Sequence, residues 1–413
     1  MIGSGVFLMP SALAVYGGIS IYGWIFSSIG ALLLAVVFGE LARFAPNIVG
    51  GPYAYTRKGL GEFPAYLVAW GYWISIWCTN AAIAVALIGY LAVFFPILGA
   101  SSIAAITSGL FFIWLFTWIN SKELKTIALV QIITTVLKVT PIILIGIVGV
   151  FYIKMENFLP FNTTGSSNWS AITATTTLTL FAYLGMESAT IPSSSIKDAE
   201  KTIKKATLVG AVFTIVVCIL SSIANMGVIP AEVLQHSNAP FADAAAIFMG
   251  ETAKYLVSSG AVIATMGALN GWILIQGQIP MAAAKDGLFP KLFGKTNKNN
   301  SPITGIVLSS ILVSLLMLLN YSKTLVEAFT FMMKLSTLSV LTPYLFSTAS
   351  LALFLYRSKE KNTKGKLLIS FFAFCFSMWI IIGCGEEIVF WGFLLLMAGI
   401  PFYVLLTKNK IIK

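Results

Sequence analysis

Histidine is almost missing from this 413-residue chain, which carries one, His236, and cysteine is sparse, with four. A single histidine leaves little room for the commonest general base and metal ligand, and no group of Cys, His and carboxylate has the spacing of a metal site. Cys78, Cys218, Cys375 and Cys384 each lie within or at the edge of an apolar run, which argues against a disulfide framework. A Walker-type phosphate loop is also lacking, so an ATP-driven pump is not expected of this chain alone. The largest shortage is of charge: 10% of residues are charged and 58% are hydrophobic. Neither an enzyme nor a resident cofactor is indicated.

What fills the chain instead is uncharged segments of about 20 residues, each long enough to cross ~30 Å of hydrocarbon. Spans are expected at 2–16, 19–42, 63–94, 100–120, 126–153, 170–194, 206–229, 253–283, 303–321, 325–355, 367–384 and 388–407, about twelve in all. Between residues 63 and 121 no side chain is charged, and Pro96, Gly99 and Ser101 supply the turn that separates two helices. The expected fold is an all-α polytopic membrane protein, one transmembrane domain over 1–413. Its basic residues sort by loop. Arg43, Arg57, Lys58, Lys122, Lys125, Lys197, Lys201, Lys204, Lys205, Lys285, Lys291, Lys295, Lys298, the run from Arg357 to Lys366, Lys408, Lys410 and Lys413 share one side. Lys154, Lys254 and Lys323 fall on the other, with Glu386 and Glu387. By the positive-inside rule the even loops and the C-terminus are cytoplasmic.

Two stretches interrupt the helical pattern. Gly3-Ser4-Gly5 sits in an apolar run, where each glycine destabilises a helix interior by about 1 kcal/mol relative to alanine. Two readings stand: backbone amides offered to an anionic group such as a carboxylate, since unpaired backbone at mid-depth is tolerated only along a cavity or ligand, or close helix packing through small residues. The second stretch, Phe181-Ala182-Tyr183-Leu184-Gly185-Met186-Glu187, places a carboxyl group deep in the sixth span. Glu187 is therefore a functional-site candidate, against the plainer reading of a protonated acid bonded to a neighbouring helix. A break in the first span and another in the sixth is the arrangement of inverted five-helix repeats around a midplane site. The spacing of the breaks alone carries that inference, because the halves share no visible sequence similarity.

Ile2-Gly3-Ser4-Gly5-Val6-Phe7-Leu8-Met9-Pro10, Gly50-Gly51-Pro52-Tyr53-Ala54-Tyr55, Leu184-Gly185-Met186-Glu187-Ser188-Ala189 and Asp286-Gly287-Leu288-Phe289-Pro290 together resemble the amino acid/polyamine/organocation (APC) transporter superfamily. Within it the chain resembles the arginine/agmatine and putrescine/ornithine exchangers. The resemblance covers nearly the whole chain and implies a LeuT-type fold of 5+5 inverted repeats, sodium-independent exchange of amino acids in a bacterial inner membrane, and often a homodimer. It implies that Gly3, Ser4 and Gly5 hold the substrate α-carboxylate through backbone amides. Phe181 replaces an aromatic gate that is tryptophan in those exchangers, and Trp272 matches the aromatic along the substrate's stem. Tyr72, Ser75 and Asn80 match gate and pocket positions on the third span, as do Ser336 and Tyr344 on the tenth.

Two lysines depart from the exchanger pattern. Lys138 lies ~18 Å or more from either end of its span at 1.5 Å per residue. In other transporters of the superfamily a lysine here takes the place of a sodium ion, and burial would let it release a proton during the cycle. A static ion pair is the alternative. Lys334 precedes Ser336 by two residues, so the two side chains point ~200° apart, and if Ser336 faces the pocket Lys334 is expected not to. A pocket-facing Lys334 would repel arginine or putrescine and favour a neutral amino acid. The first span runs only about 15 residues before Gly17-Gly18, short of the ~20 required, so an N-terminally truncated first helix is expected, with the native start upstream of Met1 or an inactive product. The leading expectation is an antiporter exchanging a basic amino acid for its amine or another amino acid by alternating access. The alternatives are a proton-coupled symporter or uniporter for neutral amino acids, with Glu187 and Lys138 as coupling residues, and a non-transporting remnant or sensor.

Overall fold

A computed structural model describes residues 4–44, 50–122, 139–190, 199–298, 301–358 and 363–411, and among them the chain is helical, with no strand. The elements are α1 (Met9–Ala14), α2 (Ser20–Phe44), α3 (Pro52–Leu60), α4 (Glu62–Leu91), α5 (Ser102–Lys122), α6 (Val139–Tyr152), α7 (Asn168–Leu180), α8 (Ala199–Val228), α9 (Pro240–Met249), α10 (Glu251–Lys285), α11 (Ile303–Leu319), α12 (Leu325–Arg357), α13 (Lys364–Cys384), α14 (Glu386–Met397) and α15 (Gly399–Ile411). Eight described helical segments are long and apolar enough to cross a bilayer: Gly17–Phe44, Glu62–Leu91, Ser102–Lys122, Thr202–Val228, Glu251–Lys285, Leu325–Arg357, Lys364–Cys384 and Glu386–Lys408. The difference from about twelve has a local cause at each remaining place. The first and sixth spans are interrupted, α11 has 17 residues, and the segment 126–153 lies partly outside the described residues.

Helix limits follow local chemistry. α12 opens on a capping box: the Glu327 amide donates to Thr324 Oγ1 (3.3 Å) and the Thr324 amide donates back to Glu327 Oε2 (2.9 Å), satisfying two donors that a helix start leaves unpaired. α7 opens on Ser167, whose Oγ accepts the Ser170 amide. The apolar faces then pack around α4, which is almost wholly buried and lies against α12 and α10. Gly71 permits that approach, since a Cβ there would sit 3.2 Å from the Ser339 carbonyl oxygen and from Thr342 on α12. α2 packs on α7 and α8, and α12 on α13.

The two ends of the bundle differ in charge. At one end Glu40, 2% exposed, gathers Lys204 Nζ (2.7 Å), Lys366 Nζ (2.9 Å) and Arg43 Nε (3.0 Å), joining α2, α8 and α13. The glycine-rich motif before α3 belongs to the same end: Tyr53, buried, donates its phenol to Asp286 Oδ2 (2.9 Å) at the close of α10. Burial and the Asp286 carboxylate push the Tyr53 phenol far up, so it stays a donor. This segment is thus turned into the protein rather than toward lipid. At the other end Lys254 pairs with Asp243 (3.2 Å) and two cavities open beside the loop that carries His236.

Candidate functional site

The chain leaves α-helical geometry where glycines interrupt apolar sequence. Ser4–Phe7 forms a 3₁₀ turn before α1, and α7 stops at Leu180, passing through a 3₁₀ turn at Phe181–Tyr183 and another at Met186–Thr190. Gly185, between those turns, has φ +93°, a conformation that side-chain-bearing residues resist. The two breaks touch. A Cβ on Gly5 would overlap the Phe181 ring, whose edge meets the ring of Phe329 on α12 (centroids 6.3 Å, 87°). The backbone freed by the first break is partly satisfied by side chains, as buried polar groups require: Tyr90 of α4 donates to the Phe7 carbonyl (2.9 Å) and accepts the Phe241 amide (3.3 Å). The Phe7 ring packs edge-on against Tyr90 and Phe241 at 5.5 and 5.8 Å.

Beside the second break lies Glu187, 1% exposed. Its Oε2 accepts the Tyr344 hydroxyl of α12 (2.8 Å), and its Oε1 accepts the Gly185 amide (3.2 Å) from its own loop. Tyr72 of α4 brings a second phenol close to the same carboxyl group. The acid thus links the break to α12 and stands beside α4.

Ser75 and Ser336 meet where α4 crosses α12. The Ser336 and Thr79 hydroxyls are 2.7 Å apart and each lies 2.8 Å from the Ser75 carbonyl oxygen, while Ser75 Oγ donates to the Tyr72 carbonyl (2.8 Å). Asn80 faces α10, its Nδ2 donating to Gln276 Oε1 (2.6 Å), and its Oδ1 is buried with no hydrogen-bond partner among the described residues. Trp272, half-buried, stands one turn before Gln276 on α10, the helix that also packs on the Ser4–Phe7 turn. Of Ser4 the backbone is described; Gly3 and Lys138 lie outside the described residues. Lys334, half-buried, lines a cavity with Ala12 of α1 and Tyr16 just beyond it, so on its stretch of α12 the lysine faces open space and Ser336 faces α4.

Phe329, Tyr90, Gln276 and Thr79 complete this arrangement and were not singled out in the sequence. Gln276 carried a readable signal as an amide within an apolar run. Phe329 and Tyr90 did not, being two among 30 phenylalanines and 14 tyrosines.

Comparison with known proteins bears on the whole chain. The sequence model described as amino acid permease matches residues 1–404. An arginine/agmatine antiporter of Chlamydia felis is 31% identical over 98% of this chain and 86% of its own length. An arginine/agmatine antiporter of Chlamydia pneumoniae is 30% identical over 99% and 88%. A cadaverine/lysine antiporter of Escherichia coli is 34% identical over 77% of this chain and 71% of its own length.

Proposed function

This chain belongs to the amino acid permease family, whose members are membrane transporters and not enzymes, and from that premise we propose that it is a secondary active antiporter of the bacterial inner membrane. It exchanges an amino acid for its amine or for another amino acid by alternating access. The observation that carries this reading is the contact between the two broken helices, Gly5 against Phe181, next to the buried Glu187–Tyr344 pair. About twelve spans, arranged as 5+5 inverted repeats in one transmembrane unit, would bring two such breaks together at the midplane. The breaks at the first and sixth spans and the packing of the third span on the eighth and tenth support that topology.

In this reading the amides of Gly3, Ser4 and Gly5 take the α-carboxylate, as helix ends take anions. Phe181 and Trp272 bound the substrate's stem, and Asn80 offers its unpartnered Oδ1 to an ammonium group. Ser75 and Ser336 hold α4 on α12 behind the pocket. Tyr72, Tyr344 and Glu187 form the gate and proton-coupling group, and Lys138 supplies a fixed or releasable charge on the fifth span. Lys-rich loops and the C-terminus face the cytoplasm, and the exchangers this chain resembles favour a homodimer. A second reading, transport of a neutral amino acid, is favoured by the cavity-facing Lys334, a charge that repels a dication.

Purified protein in liposomes tests the proposal. Uptake of labelled arginine, lysine or leucine is expected to require internal amino acid or amine and to stop in empty vesicles. Uptake into empty vesicles driven by a pH gradient would replace exchange with symport. Lys138→Ala is expected to abolish transport at unchanged expression, and full activity would remove that lysine from the mechanism.

A further inference from the structure

A cavity of about 550 Å³ opens at the lysine-poor end of the bundle, between α1, the His236 loop, α12 and the start of α14. Its lining carries both signs of charge. Glu386 and Glu387, exposed at the first turn of α14, lie at its rim. Lys334 stands nine residues into α12, ~13 Å along the helix from its start. Among the described residues Lys334 makes no hydrogen bond or ion pair. The other charges are already engaged, Glu327 by Thr324 and Lys323 by the face of Phe331 (4.0 Å). Phe329, within a turn and a half of Lys334, touches the Phe181 ring that covers Gly5.

We propose that this cavity is an outer antechamber that selects for a carboxylate: Lys334 receives the α-carboxylate of an incoming amino acid, the rim glutamates face its cationic end, and the decarboxylated amine is disfavoured. An acidic rim over a basic floor aligns a zwitterion carboxylate first, the orientation that the Gly3-Ser4-Gly5 amides would require next. A diamine or agmatine brings a second cation to Lys334 with nothing to offset it. In an exchanger this makes the outer face prefer the amino acid, whatever the inner face prefers. The inference rests on the amino acid reading above and on the orientation that puts the lysine-poor end outside.

Two measurements test it separately from that reading. In right-side-out vesicles, Lys334→Gln is expected to raise the KM for arginine or leucine about tenfold and to lower that for agmatine or 3-methylbutylamine, with inner-face KM values from inverted vesicles unchanged. Equal changes at both faces, or none, would overturn the proposal. The second measurement needs no transport: a membrane-impermeant lysine-reactive ester is applied to right-side-out vesicles and the Lys334 peptide is quantified by mass spectrometry. Acylation is expected to be slowed severalfold by arginine or leucine and not by the matching amine. Equal protection by acid and amine, no protection, or an unreactive Lys334 would overturn the antechamber. Selective protection in a protein that shows no exchange would leave the antechamber standing and remove the antiporter.

Discussion

Single residues decide whether the breaks can stay in contact. A methyl group at Gly5 has nowhere to go but into the Phe181 ring, so Gly5→Val is expected to abolish substrate binding while the bundle still elutes as a folded species in detergent. Binding at wild-type affinity by such a folded variant would show that the break does not hold substrate. Glu187 is a different kind of test, because its role depends on titration rather than shape. Glu187→Gln keeps the size of the group and can still accept from Tyr344. It is expected to flatten the pH dependence of transport more than it weakens affinity, and an unchanged pH profile would leave the residue a structural one. Tyr344→Phe removes the donor alone. Losing one buried hydrogen bond, about 0.5–1.5 kcal/mol, should appear as a lower unfolding temperature together with a shifted pH profile.

Helices show which parts of this arrangement could be read before the structure and which could not. Both breaks were legible, because glycines and a carboxyl group inside apolar runs contradict a membrane helix and need a reason. The facing of α12 was not: two residues apart, Lys334 and Ser336 occupy opposite sides, and sequence states that opposition without saying which side meets α4. The Ser336–Ser75 hydrogen bond settles it. Gly71 was equally silent, since its purpose is the backbone it lets approach. Gly71→Val is expected to separate α4 from α12 and to destabilise the protein by about 1–3 kcal/mol, read as thermal unfolding in detergent, whereas the same change at Gly365, where a Cβ meets nothing, should be near neutral. Glu40 is the third such element, since one carboxylate holds α2, α8 and α13 through three cations. These cations are 25–43% exposed and regain water when released, so Glu40→Gln is expected to lose about 1–2 kcal/mol, less than the ~3–5 of a fully buried pair.

Across the whole molecule the sorting of charge becomes spatial. Arg43, Lys204 and Lys366, far apart in sequence, converge on Glu40 at one end, while Lys323, Lys334, Glu386 and Glu387 surround a cavity at the other. The bilayer reads such asymmetry during insertion, so the lysine-rich end should remain in the cytoplasm. A reporter fused after Ile411 tests this without any assay of transport. Green fluorescent protein is expected to fluoresce there and alkaline phosphatase to stay inactive, and a phosphatase fused in the loop at His236 should be active. The reverse pattern would turn the molecule over, and the consequence would reach the chemistry. The acidic rim and Lys334 would then face the cytoplasm, the proposed selection for a carboxylate would act on the outgoing substrate, and the proposed exchange would favour amino acid export in place of uptake.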